Sequence, residues 1–259
     1  MVGKNRILTD AAREIRNTFS RFLSLFLLSA LAVAFLAGLR STRPDMEHTA
    51  DRYYDRTHLM DVRILSTLGL TDEDIDVLAA FDGVEKAEGA WFADGILRAG
   101  SAELVVRAHS LSEQGINDPE LLAGRLPAGD DECLAESVLL AHTGLHIGDT
   151  LTLDVAGTDY EDILDRTSFT IVGECTSPLY LSTDRGTSSV GTGRLTAVLF
   201  VPRSAFSAEA YTEAYLLADG ASDLWCYDDD YDELTDGLID RLEVLGEDRA
   251  GKRYDDVIG

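Results

Sequence analysis

One uninterrupted apolar block stands out against short alternating runs. RFLSLFLLSALAVAFLAGLR, residues 21–40, holds 18 residues without a formal charge from Phe22 to Leu39. At about 1.5 Å per residue they make roughly 27 Å of helix, close to a hydrocarbon core of about 30 Å. A secretory signal has a shorter apolar region, on the order of 7–15 residues, with a small-residue cleavage site behind it. Here the small residues lie inside the run, and Leu39-Arg40 is a poor cleavage site. The block therefore reads as a retained transmembrane helix over 22–40, with a cleaved signal as the alternative.

Residues 1–21 place Ile7, Ala11, Ile15 and Phe19 four apart, with Arg13 and Arg16 between them. That period suits an amphipathic segment lying along a membrane surface, or a solvated helical tail. Within the span, Ala30, Ala34 and Gly38 also fall four apart, a small-residue stripe that another helix could approach closely.

Beyond the block the pattern changes to that of a folded domain. Residues 45–57 are polar and predict a helical extension. HLMDVRIL (58–65) alternates as a half-buried strand does. TDEDIDVLAAFDG predicts a helix capped by Thr71, with Glu73 and Asp74 in its first turn, Ile75, Leu78 and Ala79 on its apolar face and a stop at Gly83. VEKAEGAWFADGILRAG and AELVVRAHSL follow as strands separated by Gly100-Ser101.

A second run of elements begins near Gly124. ECLAESVLLAHTGLHIGDTLTLDV predicts a short strand, a helix from about Glu136 to Thr143 stopped by Gly144, a turn at Gly148-Asp149 and a further strand. SFTIVGEC (168–175), LTAVLFV (195–201, ended by Pro202) and YTEAYLLA (211–218) read as strands. Between the first two of these lies a Ser/Thr/Gly-rich loop, TSPLYLSTDRGTSSVGTGRL. Short strands mixed with short helices, without regular βα alternation, predict an α+β class. From DDDYDE onward Tyr231, Leu234, Leu238, Leu242 and Leu245 recur at helical spacing, so 226–259 is an acidic helix, either packed on the domain or starting a coiled coil. The extracytoplasmic core then covers 44–225.

Charge sets orientation and partners. The chain has 22 Lys/Arg and 47 Asp/Glu in 259 residues, a net charge of -25. Seven of the basic residues and only Asp10 and Glu14 lie up to Arg43, which leaves fifteen basic and 45 acidic residues beyond it. Lys4, Arg6, Arg13, Arg16 and Arg21 precede the span, and the positive-inside bias puts the N-terminus in the cytoplasm and the body outside. A body near -30 repels nucleic acid and anionic lipid surfaces.

Catalytic chemistry is not indicated. Cys133, Cys175 and Cys226 form no CxxC pair and read as isolated thiols, although one disulfide among them stays open. His142 and His146 have a chelating spacing, but Gly144 breaks the helix between them, so they read as surface histidines. DDDYDELTDGLI places Glu233 and Ile239 where a calcium loop needs Gly and Glu, and reads as an acidic helix start. GTGR (191–194) matches no phosphate-binding loop and reads as flexible, and GxSxG is missing. No catalytic, metal or cofactor residue is assigned.

The ordered set RFLSLFLLSALAVAFLAGLRSTRPDM, DRYYD, LMDVRILSTLGLT, GRLP, ECLAE, GLHIGDTLTL, FTIVGECTSPLYLS and VLFVPRSAF resembles the FtsX/MacB-type ABC transporter permeases, in particular their long bacterial branch. The likeness runs from about Asp10 to Arg241, and its most specific parts are GLxxGDTLTL and VGxxxSPLY. It implies a cytoplasmic N-terminus, one membrane helix, a MacB-like extracytoplasmic core domain of α+β type, and in the long branch a coiled coil after that core. It also implies a bacterial cell-membrane location, a separate cytoplasmic ABC ATPase subunit that binds ATP, and mechanotransmission to the outer domain. The cargo classes implied are lipids, lipoproteins, peptides or antibiotics. Further permease helices or a second permease copy, and membrane lipid, are the implied partners. Since the later membrane helices are missing from these 259 residues, the chain is expected to be an N-terminal portion of a permease. The alternative is a stand-alone, membrane-anchored binding or sensory module.

Overall fold

The computed structural model describes Thr9, Arg13 and residues 19–258 other than Ser101 and Thr183. The amphipathic segment expected at 1–21 lies outside the described residues, apart from Thr9, Arg13 and Phe19–Arg21. The chain divides into two compact units, one up to Ala50 and one from Asp51 onward.

Helix α1, Phe19–Thr57, contains the apolar block and the polar extension predicted after it. It is long and apolar enough to cross a membrane, and its side chains from Phe19 to Leu39 are exposed. The hydroxyls of Ser24 and Ser29 donate back to the carbonyls of Ser20 and Leu25, at 2.7 and 2.9 Å. Their polar groups are thereby satisfied within the apolar run, as a hydrocarbon environment demands. Pro44 lies inside the helix and has no N–H to offer the carbonyl four residues back. Ala30, Ala34 and Gly38 are exposed, and a Cβ on Gly38 would meet open space.

The unit from Asp51 onward is built on two sheets. Strand β1 (Val62–Leu70) leads through helix α2 (Asp72–Ala79) to strand β2 (Val84–Ala90). The chain then passes through the single residue Trp91 into β3 (Phe92–Ala99), which pairs with β4 (Ala102–Ser110). After β5 (Glu120–Gly124), β6 (Glu132–Glu136) and helix α3 (Ser137–Thr143) come β7 (Thr150–Asp154), β8 (Ser168–Thr176), β9 (Ala197–Val201) and β10 (Tyr211–Ala218). Helix α4, Asp229–Ile258, ends the described chain.

The small sheet has the order β1-β10-β2. The large one has the order β5-β8-β6-β9-β4-β3-β7, and a further β8–β7 pairing closes six of its strands into a ring. Strands from both sides of Gly124 thus share one sheet. Alternation then sorts the side chains. Ala93, Leu97, Val106, Ala108, Leu151, Phe169, Ile171 and Leu199 form the interior cluster of the ring. Val105, Leu134, Cys175, Val198 and Phe200 form a second cluster with Val190 and Leu195 of the Ser/Thr/Gly-rich loop.

That loop is therefore not the loose segment expected. Val190 and Leu195 are only 4% and 3% exposed, and a Thr187/Arg194 bridge closes a small hairpin around GTGR. Tyr180 packs on the same cluster, and Arg185 ties the loop to Glu136.

The small sheet packs its other cluster, Val62, Ala87, Ala214, Leu216 and Ala218, with Leu78 of α2 and Leu238 and Leu242 of α4. The predicted stripe of Tyr231, Leu234, Leu238, Leu242 and Leu245 thus lies on this domain.

Local signals held well. Thr71 caps α2 through a full capping box with Asp74, and Gly144 ends α3 at φ 71°. Four details differ. The helix expected to stop at Gly83 ends at Ala79, with Ala80 as its C-cap. The strand expected at 58–65 begins at Val62 and runs to Leu70, since His58 has φ 46° and Asp61 turns its carboxylate to the N–H of Ala218 at 2.8 Å. Ala79, expected on the apolar face of α2, is exposed. The strand expected from Leu195 starts at Ala197, because Leu195 belongs to the hairpin.

Candidate functional site

Charged residues set into apolar strands converge where the small sheet faces the ring. Asp94 and Arg107 are register partners on β3 and β4. The Arg107 guanidinium donates to both carboxylate oxygens at 2.6 and 2.8 Å and lies over the Phe92 ring at 4.2 Å. Asp94 is wholly buried, and the Arg107 side chain is 13% exposed. Two residues further along β4, His109 shares a 2.8 Å hydrogen bond between Nε2 and the Tyr180 hydroxyl.

From the small sheet, Glu213 of β10 enters the same region fully buried. It accepts from Arg63 Nε at 2.6 Å and from the Tyr215 hydroxyl, and His109 Nδ1 lies 3.6 Å away. Burial alone would raise the Glu213 pKa; His109, Arg63 and Tyr215 overcome it and hold the carboxyl at about 2. Burial pushes the His109 pKa down, against the pull of Glu213. At neutral pH the region therefore holds ionised Glu213 between a guanidinium and a phenol.

Two further buried pairs flank it. Arg185 donates from Nη2 to Glu136 at 2.6 Å, with side chains 7% and 5% exposed. Burial raises the Glu136 pKa even with Arg185 beside it. Glu88 accepts from Arg203 at 3.0 Å, from the Glu113 N–H at 2.8 Å and from the Ser112 hydroxyl. Arg203 lies over Trp91 at 4.7 Å. Most of these buried polar groups are bonded, as burial demands, while Arg185 Nη1 has no hydrogen-bond partner among the described residues.

Beside this network is a cavity of about 390 Å³ whose walls include Arg63, Arg107, Arg185, His109, Tyr180 and Tyr215. A second cavity, about 380 Å³, lies between β1, α2 and α4, with Ile64, Leu70, Leu78 and Leu242 in its walls beside Asp74, Arg249 and Arg253.

The residues of the network were not assigned from sequence. Their signal was present, since Asp94, Arg107, His109 and Glu213 interrupt otherwise apolar strand segments. A charge in an apolar strand is informative only once its partner is known, and Arg63 and Glu213 are 150 residues apart. His142 is exposed and turns Nδ1 to the Val138 carbonyl at 2.8 Å, and the His146 side chain is 85% exposed. Among the described residues no group of His, Cys, Asp or Glu has the arrangement of a metal site. Cys133, Cys175 and Cys226 are unpaired thiols.

No protein-family model and no curated protein matches the chain. Among solved structures, it is similar to the extracellular domain of the noncanonic ABC-type transporter YknZ from Gram-positive bacteria. That match has a TM-score of 0.39 at 11% identity and covers 60% of this chain and 75% of that one. It is also similar to the periplasmic region of MacB from Actinobacillus actinomycetemcomitans, with a TM-score of 0.39 at 15% identity, over 70% of this chain and 75% of that one.

Proposed function

We propose that this chain is part of a bacterial ABC transporter permease, in which α1 crosses the cell membrane and the unit from Asp51 onward works outside it. On this reading a separate cytoplasmic ATPase drives the transporter by mechanotransmission to the outer unit. The cargo belongs to the lipids, lipoproteins, peptides or antibiotics that such systems export or extract. One observation carries the reading: the permease-like segments occur in family order along the chain, from the apolar block through GLHIGDTLTL and FTIVGECTSPLYLS to VLFVPRSAF. The basic residues before Phe22 support a cytoplasmic N-terminus.

Two measurements test it together. Alkaline phosphatase joined after Thr57 should be active, and the same enzyme joined before Phe22 inactive. The tagged chain, purified from its native membrane, should bring with it a stoichiometric ABC-type ATPase, identified by mass spectrometry. A retained, correctly oriented chain with no such ATPase would favour the anchored binding module, for which the 390 Å³ cavity is the supporting observation.

A further inference from the structure

The body beyond Arg43 carries fifteen Lys/Arg against 45 Asp/Glu, yet three of those fifteen line one cavity. Arg63, Arg107 and Arg185 all face the 390 Å³ space beside Tyr180, where Asp184 is the single carboxylate in the wall. The carboxylates that balance the guanidinium groups are not wall residues. Asp94 and Glu213 are wholly buried, and Glu136 is 5% exposed. The cavity thus presents cations at its surface and keeps their counter-charges behind them.

One of these cations is incompletely satisfied. Arg185 is nine-tenths buried, its Nη2 is used by Glu136, and its Nη1 is shielded from solvent with no hydrogen-bond partner among the described residues. A guanidinium presents its donors in a planar fork suited to two oxygens of one anion. The other walls suit the remainder of a small molecule: Met60, Leu179 and Leu181 are apolar, and Tyr180 and Tyr215 are aromatic. The volume lies in the range of small-ligand sites, about 300–1,000 Å³.

We propose that this cavity binds a small oxyanion, a carboxylate or phosphate carried on a compact, partly apolar molecule, held by the guanidinium groups of Arg63, Arg107 and Arg185 in its wall. The site stands on its own geometry and does not depend on the transporter reading. The apolar wall at Leu179 and Leu181 sets the size of the group that follows the anion.

The test uses the full chain in detergent or nanodiscs, with thermal unfolding as the readout. Inorganic phosphate and acetate are titrated in separate arms, each against chloride at matched ionic strength. At least one should raise the melting temperature saturably where chloride does not, and the arm with the lower midpoint identifies the anion. Arg185→Gln should raise that midpoint by about tenfold or more, a loss of roughly one hydrogen-bonded charge interaction. Since Arg185 also holds Glu136, Leu181→Trp provides an independent variant. Leu181 is 58% exposed, and a tryptophan there narrows the cavity without touching a buried pair; it should leave unliganded melting unchanged and weaken the anion effect. A chloride response equal to the phosphate and acetate responses overturns the site, as does an anion effect that survives both substitutions.

Discussion

Asp94 and Arg107 stand opposite each other in register across β3 and β4, and the guanidinium closes on the carboxylate with two bonds of 2.6 and 2.8 Å. The pair is a buried fork rather than a surface salt bridge, and its two members respond very differently to loss of one or of both. Removing one partner strands a charge, which costs about 3–5 kcal/mol, whereas replacing both by apolar groups of similar volume is often neutral. Asp94→Asn is therefore expected to lower unfolding stability by about 3 kcal/mol in denaturant titrations. The double variant Asp94→Leu/Arg107→Met should recover most of that loss; equal loss in both would contradict the burial argument.

Glu213 predicts an acid limit. Its folded pKa is about 2, below the model-peptide value for Glu of about 4.3. A depressed carboxylate contributes stability that is complete above its unfolded pKa and disappears as pH falls through the folded one. Stability should thus decline between about pH 4.5 and about pH 2, by a few kcal/mol. Equilibrium unfolding across that window checks it, and Glu213→Gln should flatten the slope while lowering stability at neutral pH.

Cys133 and Cys175 are both wholly buried, and burial pushes both thiols up to about 12. They sit in different apolar clusters, Cys133 inside the ring and Cys175 under the loop that carries Val190. Since the thiolate is the reactive form, neither should be alkylated in the native protein, and both should react at once on unfolding. Mass mapping of the labelled peptides distinguishes this from a disulfide, which would stay unlabelled throughout.

Two glycines should respond to alanine for different reasons. Gly144 ends α3 at φ 71° with open space where a Cβ would stand, so Gly144→Ala meets only backbone strain, about 1 kcal/mol. At Gly89 a Cβ would fall 2.5 Å from the Tyr211 ring, which is itself packed on Trp91 at 4.5 Å and bonded to Asp72 at 2.7 Å. Gly89→Ala must displace that ring and should cost about 1–3 kcal/mol. Thermal melts of the two variants rank them directly.

Much of this was legible along the chain because it is local. The apolar block from Phe22 to Leu39 needs only its own composition to read as a membrane helix. Thr71 and Asp74 are three residues apart and form a reciprocal cap, and Gly144 stops its helix through its own φ. The stripe from Tyr231 to Leu245 likewise declared an apolar face, but left open whether that face met a sheet or another helix.

Tertiary structure decided what depends on separation in sequence. Alternation placed Arg107 and His109 on one face of a strand without saying what lay opposite them. Arg63, Tyr180 and Glu213 reach that face from β1, the loop and β10, and only closure of the ring and stacking of the small sheet bring them together. A strand's period is written in neighbouring residues, whereas strand order and register are set by which apolar faces can be buried at once. The long apolar helix and the elements of the unit from Asp51 onward were therefore determined by sequence, and the charged network and its cavity by packing.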